Sequence, residues 1–468
     1  RQCHMKMSEI ILRPFFCDSQ SIFNVTVSKS TLSGQGLFAT QFLKKGSLLF
    51  INKPIVYGPR ANCTIEKFCS YCYQVNNLCY SCEKCYTFVC SENCKNSDDH
   101  KQMCILICTN WILKETTDSI ESTSIVLSRV IIYLRFLLLS EEQKSLLRLF
   151  QRSDITSKFE ELETLQTKFH IPEEQIEFLR IANSIIKINS FRISNAHKAK
   201  TVELRGFYPV SAFMNHTCVP NTRNIFTKEY AMAIFVSKDI KKGDEITCCY
   251  TGILWCTPAR RFQLYKSKKF WCKCTRCSDP TEMNTKLSAL KCLNKECIGI
   301  LLPKTPLDPQ TKWLCDTCST IVPLEKINMI HSALGSLVGT LKLDDEFRMN
   351  NAVLKKLAMF IPYSNHIFVD IRLRLLMMKI TTGMPLLLIY HFIQLVRVNY
   401  TTGKHITTSS FEIIKKMAQC YPLSIIGNIE KKTFKHSLYV LMKIKHLSAI
   451  FLPNSLHNSM YTYFMLNV

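Results

Sequence analysis

The residues with the most chemistry in them are cysteines. The 468-residue chain holds 24, and all but Cys420 lie before residue 319. They recur at metal-ligand spacing: Cys69-x2-Cys72, Cys82-x2-Cys85, Cys90-x3-Cys94 and His100-x3-Cys104, then Cys272-x-Cys274-x2-Cys277, then Cys292-x4-Cys297 and Cys315-x2-Cys318. A thiolate or imidazole pair this closely spaced converges on one ion, and four such donors satisfy a tetrahedral zinc. The first four pairs therefore suffice for two zincs, and the last two pairs for another. The three cysteines at 272–277 leave a site one ligand short, and Cys218 is the natural fourth. A segment of about forty residues buries too little apolar surface to fold alone, so bound metal must supply the folding energy. Spacing of i, i+4 in Cys90/Cys94 and His100/Cys104 predicts that each of these pairs shares one helix face. Cys79 fits no slot and is expected to be a core or surface thiol.

Two polar stretches form the second candidate site. Asn215-His216-Thr217-Cys218-Val219-Pro220-Asn221 follows an apolar run from Tyr208 to Met214. Gly243-Asp244-Glu245-Ile246-Thr247-Cys248-Cys249-Tyr250 is a turn feeding a strand that ends on a tyrosine. Read by pattern alone, they are a β-hairpin with a polar loop, and Tyr250 is a strand-end aromatic.

The elements that must position these residues are legible in outline. Phe23–Ser28 and Ser47–Ile51 alternate like strands, on either side of Ser33-Gly34-Gln35-Gly36. Gly34 and Gly36 permit positive φ and close backbone approach. Lys53-Pro54 and Gly58-Pro59 mark a chain exit. From Glu121 to Phe150 apolar residues fall at helical spacing (Ile125, Val126, Val130, Ile131, Leu134, Leu137, Leu138). Pro172-Glu173-Glu174 opens a further helix with acids in its first turn, and Ile176, Leu179, Ala182 and Ile186 form its stripe. Residues 107–188 read as helices only. Strands are expected over Ala231–Val236 and Glu245–Cys249, and a short helix over Arg260–Lys269. Beyond Pro323 the pattern is helical, as in Ile330, Leu334, Leu337 and Leu341 and in Phe368, Ile371 and Leu375.

Composition narrows the function classes. Nearly half the residues are apolar, as in globular protein, and the net charge of +24 favours anionic partners such as nucleic acid, chromatin or acidic protein surfaces. Residues 1–16 lack a secretory core segment, so the cysteines are expected to bind zinc rather than form disulfides. No apolar run reaches 18 residues, which predicts no membrane span.

Asn-His-x-Cys-x-Pro-Asn followed by Gly-Asp-Glu-Ile-Thr-x-x-Tyr resembles the two halves of the SET-domain methyltransferase knot. The order of ligands from Cys69 to Cys104 resembles a MYND zinc finger, and residues 23–325 resemble the SET-and-MYND (SMYD) family of protein-lysine methyltransferases, in its arthropod SmydA-like branch. The resemblance implies an α+β multidomain chain. In it, a SET-type β-fold is split by a MYND finger and a helical insert, then followed by a post-SET zinc site, an extra zinc knuckle and an all-α C-terminal domain. The boundaries expected are 1–65 (N-terminal SET segment), 66–106 (MYND finger), 107–188 (helical insert), 189–251 (SET core), 252–280 (post-SET zinc segment), 281–322 (knuckle) and 323–468 (helical domain). By resemblance, Cys69, Cys72, Cys90 and Cys94 hold one zinc and Cys82, Cys85, His100 and Cys104 another. S-adenosylmethionine is expected against Gly34, Gln35, Gly36, Asn189, Ala212, Asn215, His216 and Tyr250. Tyr250 is the implied catalytic tyrosine, with Phe191 and Phe270 lining a lysine channel.

The activity implied is methyl transfer from S-adenosylmethionine to lysine side chains of proteins, histone or otherwise, in nucleus and cytoplasm. About four zincs are expected, and the finger would recruit partner proteins, proline-rich peptides among them. Gln35 stands where the family usually has a basic residue, and Lys268 where several relatives carry tyrosine. These departures favour the alternative of a catalytically weak, zinc-rich scaffold or corepressor. Direct nucleic-acid binding rests on charge alone, and would show steep salt dependence.

Overall fold

The computed structural model describes residues 12–17, 21–60, 67–75, 79–114, 119–153, 159–193, 202–339 and 351–371. The chain divides into two units: Arg1–Asn215 with Asn221–Thr247, and His216–Pro220 with Cys248–Val468.

The first unit is built from short antiparallel strands. Val25–Lys29 pairs Gln35–Ala39 with Val25 opposite Ala39, and Gln35–Ala39 pairs Glu245–Cys248 through Phe38 and Ile246's partner Leu37. A second set orders Val56–Pro59, Leu204–Phe207 and Phe191–Ile193; a third orders Thr222–Phe226, Met232–Val236 and Leu48–Asn52. Leu37, Leu49, Phe50, Phe207, Tyr208, Met232 and Ile234 fill the core. Asn52 is fully buried among them and is satisfied on both sides of its amide: Nδ2 donates to the carbonyls of Phe15 and Lys53, and Oδ1 accepts from Ser211 N–H. Helices Ile120–Leu137, Glu160–Lys168 and Glu173–Asn189 supply the rest of the apolar interior. Gly58 lets the first of them approach, since a Cβ there would sit 2.8 Å from that of Ile132.

Asn221 locks two parts of this unit that are far apart in sequence. Its Nδ2 donates to Glu245 O at 2.8 Å, and its Oδ1 accepts from Thr247 N–H at 2.8 Å and from the Thr247 hydroxyl at 3.2 Å. The side chain thus reproduces the two hydrogen bonds a paired strand would make.

The second unit carries helix Thr257–Lys268, a four-residue turn Thr275–Ser278, and a four-stranded antiparallel sheet. The sheet order is Leu290–Lys291, Ile300–Pro303, Trp313–Cys315, Ile321–Val322. Its buried face (Leu290, Leu301, Trp313, Val322) shares one core with Ile327, Ile330 and Leu334 of helix Leu324–Gly339 and with residues 353–371. No single helix among the described residues is long and apolar enough to cross a membrane.

Several sequence expectations need correction. Phe23 and Asn24 lie in a 3-10 turn, Ser21–Asn24, and the strand starts at Val25. The helical stretch Glu121–Phe150 is two helices, Ile120–Leu137 and Glu141–Leu147, because Ser140 and Gln143 form a reciprocal cap that starts the second. Residues 107–188 also contain a strand pair, Ile112–Leu113 with Phe169–His170. Cys90 precedes the Ser91 cap and is outside the Glu92–Lys95 helix, so Cys90 and Cys94 do not share a helix face; only His100 and Cys104 do, on Asp98–Asn110. Gly34 has φ +49, whereas Gly36 sits in a strand and is needed for space. Leu341 and Leu375 lie outside the described residues.

Replacing Asn221 with alanine should cost about 2–3 kcal/mol, because Thr247 N–H and Glu245 O lose their shared partner in a half-buried site. Thermal denaturation of the Asn221→Ala chain, compared with the parent, would register this as a lowered midpoint.

Candidate functional site

The cysteines assemble into four groups, each with four donor atoms within 4.8 Å of one another: Cys69/Cys72/Cys90/Cys94, Cys82/Cys85/His100/Cys104, Cys218/Cys272/Cys274/Cys277 and Cys292/Cys297/Cys315/Cys318. Tetrahedral zinc at about 2.3 Å from each sulfur requires S···S separations near 3.8 Å. The observed separations fit: 3.6 Å for Cys72–Cys90 and Cys90–Cys94, 3.6 and 4.0 Å from Cys218 to Cys277 and Cys272, 3.5 Å for Cys292–Cys318, and 3.7 Å for Cys297–Cys315. All are far longer than a disulfide. The described cysteines are free thiols. In the His-containing group His100 Nδ1 bonds the Lys95 carbonyl, which leaves the Nε2 lone pair facing Cys85 at 3.5 Å. The adjacent Cys72 sulfur, together with burial, pushes the Cys69 thiol well above its usual range, and burial raises Cys85 to about 11. Without a cation the Cys69 and Cys85 thiols would be protonated at neutral pH. Zinc would hold them as thiolates and cross-link the segments that carry them.

The Cys218 group has a polar support that sequence reasoning missed. Arg260 is fully buried on helix Thr257–Lys268. Its Nε donates to Cys218 Sγ at 3.3 Å and its Nη2 to Cys277 Sγ at 3.7 Å and Thr257 Oγ1 at 2.7 Å. Nη1 forms a 2.9 Å ion pair with Glu282, which is itself buried and accepts from Ser288 N–H. A guanidinium this close to sulfur offsets the negative charge of a thiolate cluster. The signal available in sequence was only an arginine one turn into a helix beside the cysteines, which reads as a surface residue.

The expected cofactor residues fall in both units. In the first, Gly34 and Gln35 are exposed at the turn into the Gln35–Ala39 strand. Asn215 Nδ2 reaches back to them, donating to the carbonyls of Ser33 at 3.0 Å and Gln35 at 3.1 Å and to Glu245 Oε1 at 2.7 Å. Ser30 donates to the same carboxylate at 2.8 Å. Gly36 is required here, since a Cβ would lie 2.5 Å from Glu245 Oε1. Ala212 is in a 3-10 turn with its N–H on Tyr208 O. Asn189 ends its helix, with Nδ2 committed to the carbonyls of Gln151 and Ile185. Phe191 packs edge-on against Tyr208, ring centres 6.0 Å apart.

In the second unit His216, Tyr250 and Phe270 come together. Tyr250 N–H donates to His216 Nδ1 at 3.0 Å, and His216 Nε2 faces Cys218 Sγ at 3.3 Å. Both ring nitrogens are therefore engaged within the protein, and burial lowers the His216 pKa to about 4, so the ring is neutral at pH 7. The imidazole lies 5.3 Å from the Tyr250 ring and 5.9 Å from Phe270. Lys268 places its ammonium 5.4 Å from the Tyr250 ring centre.

Comparison with known proteins agrees with this geometry. The SET domain family model matches residues 34–251. SET domain-containing protein SmydA-8, isoform A, of Drosophila melanogaster is 29% identical over 366 residues, 75% of this chain and 78% of the relative. Histone-lysine N-methyltransferase ASHR1 of Arabidopsis thaliana is 25% identical over 338 residues, 66% of each chain. Histone-lysine N-methyltransferase SMYD3 of Homo sapiens is 27% identical over 305 residues, 60% of this chain and 67% of that one. Residues 34–251, which include Cys218, thus match a SET domain. Within that class the chain is similar to SMYD proteins, with the arthropod SmydA-8 among its relatives.

Two measurements check the site. Metal analysis of the purified chain should give about four zincs, one per donor group, and Cys277→Ala should release about one; an unchanged metal content would refute that ligand set. Arg260→Met should cost about 3–5 kcal/mol by leaving Glu282 buried and unpaired. Urea titration followed by tryptophan fluorescence would read the loss, and a change within about 0.5 kcal/mol would show that the pair contributes little.

Proposed function

We propose that the chain is an S-adenosylmethionine-dependent protein-lysine methyltransferase, with Tyr250 as the catalytic tyrosine. The observation that carries this reading is the hydrogen bond from the Tyr250 N–H to buried His216. Asn215 fixes the Gly34–Gly36 turn and Glu245, while His216 fixes the backbone of Tyr250. The SET match over residues 34–251 and the similarity to histone-lysine N-methyltransferases of Arabidopsis and human support it.

The cofactor supplies an electrophilic methyl on a sulfonium. The Gly34–Gly36 turn and Asn215 suit one end of such a ligand, because the Asn215 amide faces two carbonyls of the exposed turn and the Glu245 carboxylate beside it. What remains for the chain is to present a neutral lysine amine. Free lysine titrates near 10.4, so neutralising it at pH 7 costs roughly 4–5 kcal/mol. Apolar walls lower that cost by disfavouring the ammonium, and Phe191 and Phe270 are the aromatic side chains assigned to them. The Tyr250 hydroxyl would orient the amine lone pair, and positioning of this kind accounts for much of the rate.

The Cys69–Cys104 segment is proposed to be a MYND finger that recruits partner proteins, and the segments around residues 272–277 and 292–318 to be a post-SET site and a further zinc knuckle. The charge of +24 suits chromatin or another acidic partner, in nucleus and cytoplasm.

Calorimetric titration of the zinc-loaded chain with S-adenosylmethionine should show micromolar binding. Tyr250→Phe should slow methyl transfer on the order of 100-fold and leave that affinity near the parent value. Equal loss of both would sink the role given to Tyr250, and a folded parent chain that binds no cofactor at millimolar concentration would leave the scaffold reading in its place.

A further inference from the structure

Helix Thr257–Lys268 ends abruptly. Lys269 takes the left-handed conformation at φ 62, its N–H returning to Tyr265 O at 3.0 Å. A non-glycine residue there costs on the order of 1 kcal/mol, and the surrounding structure must hold it. The consequence is that the two flanking side chains, Lys268 and Phe270, both turn toward the His216–Tyr250 pair. Phe270 comes within 5.9 Å of the imidazole, and the Lys268 amine sits 5.4 Å from the centre of the Tyr250 ring. The Lys268 side chain is half-buried, unlike its neighbours Lys266 and Lys269, which are exposed. The chain itself thus rests an amine against the ring of Tyr250, the residue proposed above as the catalytic tyrosine.

We infer that Lys268 is a methylation site of this protein's own active centre, modified within the same molecule. The inference rests on the methyltransferase reading above. Lys268 Nζ first gives a proton to water. Its lone pair then forms a bond to the methyl carbon of the sulfonium donor as the carbon–sulfur bond breaks, and that electron pair returns to sulfur as a thioether. The product is a secondary amine on the protein and the demethylated cofactor. Burial favours the first step, because it lowers the Lys268 pKa to about 8 against the pull of nearby Cys248, so a sizeable fraction is neutral at physiological pH. A tertiary or quaternary product would keep its cation on the aromatic face, where such groups are favoured.

The test uses the full zinc-loaded chain with trideuteromethyl S-adenosylmethionine, chymotryptic digestion and mass spectrometry, with a histone mixture added in a parallel reaction. Label should accumulate on the peptide carrying Lys268, at a first-order rate unchanged over a tenfold dilution of protein. It should vanish from that peptide in Lys268→Arg and fall on the order of 100-fold in Tyr250→Phe. Labelled histone with an unlabelled Lys268 would overturn the inference and leave the methyltransferase reading standing. A rate proportional to protein concentration would overturn the intramolecular route. Absence of label on both, in protein that binds the cofactor, would overturn inference and reading together. A readout without cofactor is competitive acylation by trace acetic anhydride across pH. Half-maximal reactivity of Lys268 near pH 8 is expected, and titration at the ordinary lysine value of about 10.4 would contradict the placement of the amine.

Discussion

The structure around residue 250 depends on keeping four sulfurs together. Cys218 belongs to a five-residue segment flanked in sequence by the first unit, yet grouped with the second, and its partners Cys272, Cys274 and Cys277 follow more than fifty residues later. Uncompensated, four thiolates at these separations repel strongly; around a zinc dication they retain a formal charge of about −2. Arg260 answers that charge from inside the protein, and Glu282 in turn holds Arg260. Arg260 and Glu282 are both buried, so each is costly to remove alone. His216 and Tyr250 take their places from the same cluster.

A parallel logic governs the turn at Gly34. One carboxylate, Glu245, accepts from Ser30 and from Asn215, and the absence of a Cβ at Gly36 makes room for it. The same Asn215 amide nitrogen also lies within hydrogen-bond distance of two carbonyls of the turn, so its two hydrogens are shared among three acceptors. Short strands of four or five residues have few ladder bonds, so side-chain bonds from Asn52, Asn215 and Asn221 supply much of the register.

How legible this was in the sequence follows from how local each determinant is. Cysteine pairs two to five residues apart announce their chemistry, and the four donor groups form with the members expected of them. The polar stretches at 215–221 and 243–250 were visible because asparagine, histidine and glycine break the surrounding apolar pattern. Long-range pairing was not visible. Gly36 reads as a turn residue until Glu245, distant in sequence, is seen to need its space. Arg260 and Glu282 look like surface charges, since nothing in their neighbours says that both are buried. The break near Leu138 was hidden because its cap, Ser140 with Gln143, is a weak signal inside a strongly apolar run. The spacing of Cys90 and Cys94 mimics a helical step that Ser91 forestalls by capping the next turn.

His216 joins two kinds of chemistry through a single ring. One nitrogen receives the backbone N–H of Tyr250, the other meets a sulfur of the Cys218 group. Oxidants act on sulfur and chelators on an ion that sulfur holds, and here the tyrosine backbone is one imidazole away from the Cys218 sulfur. A change at that sulfur would reach the Tyr250 backbone through a single ring.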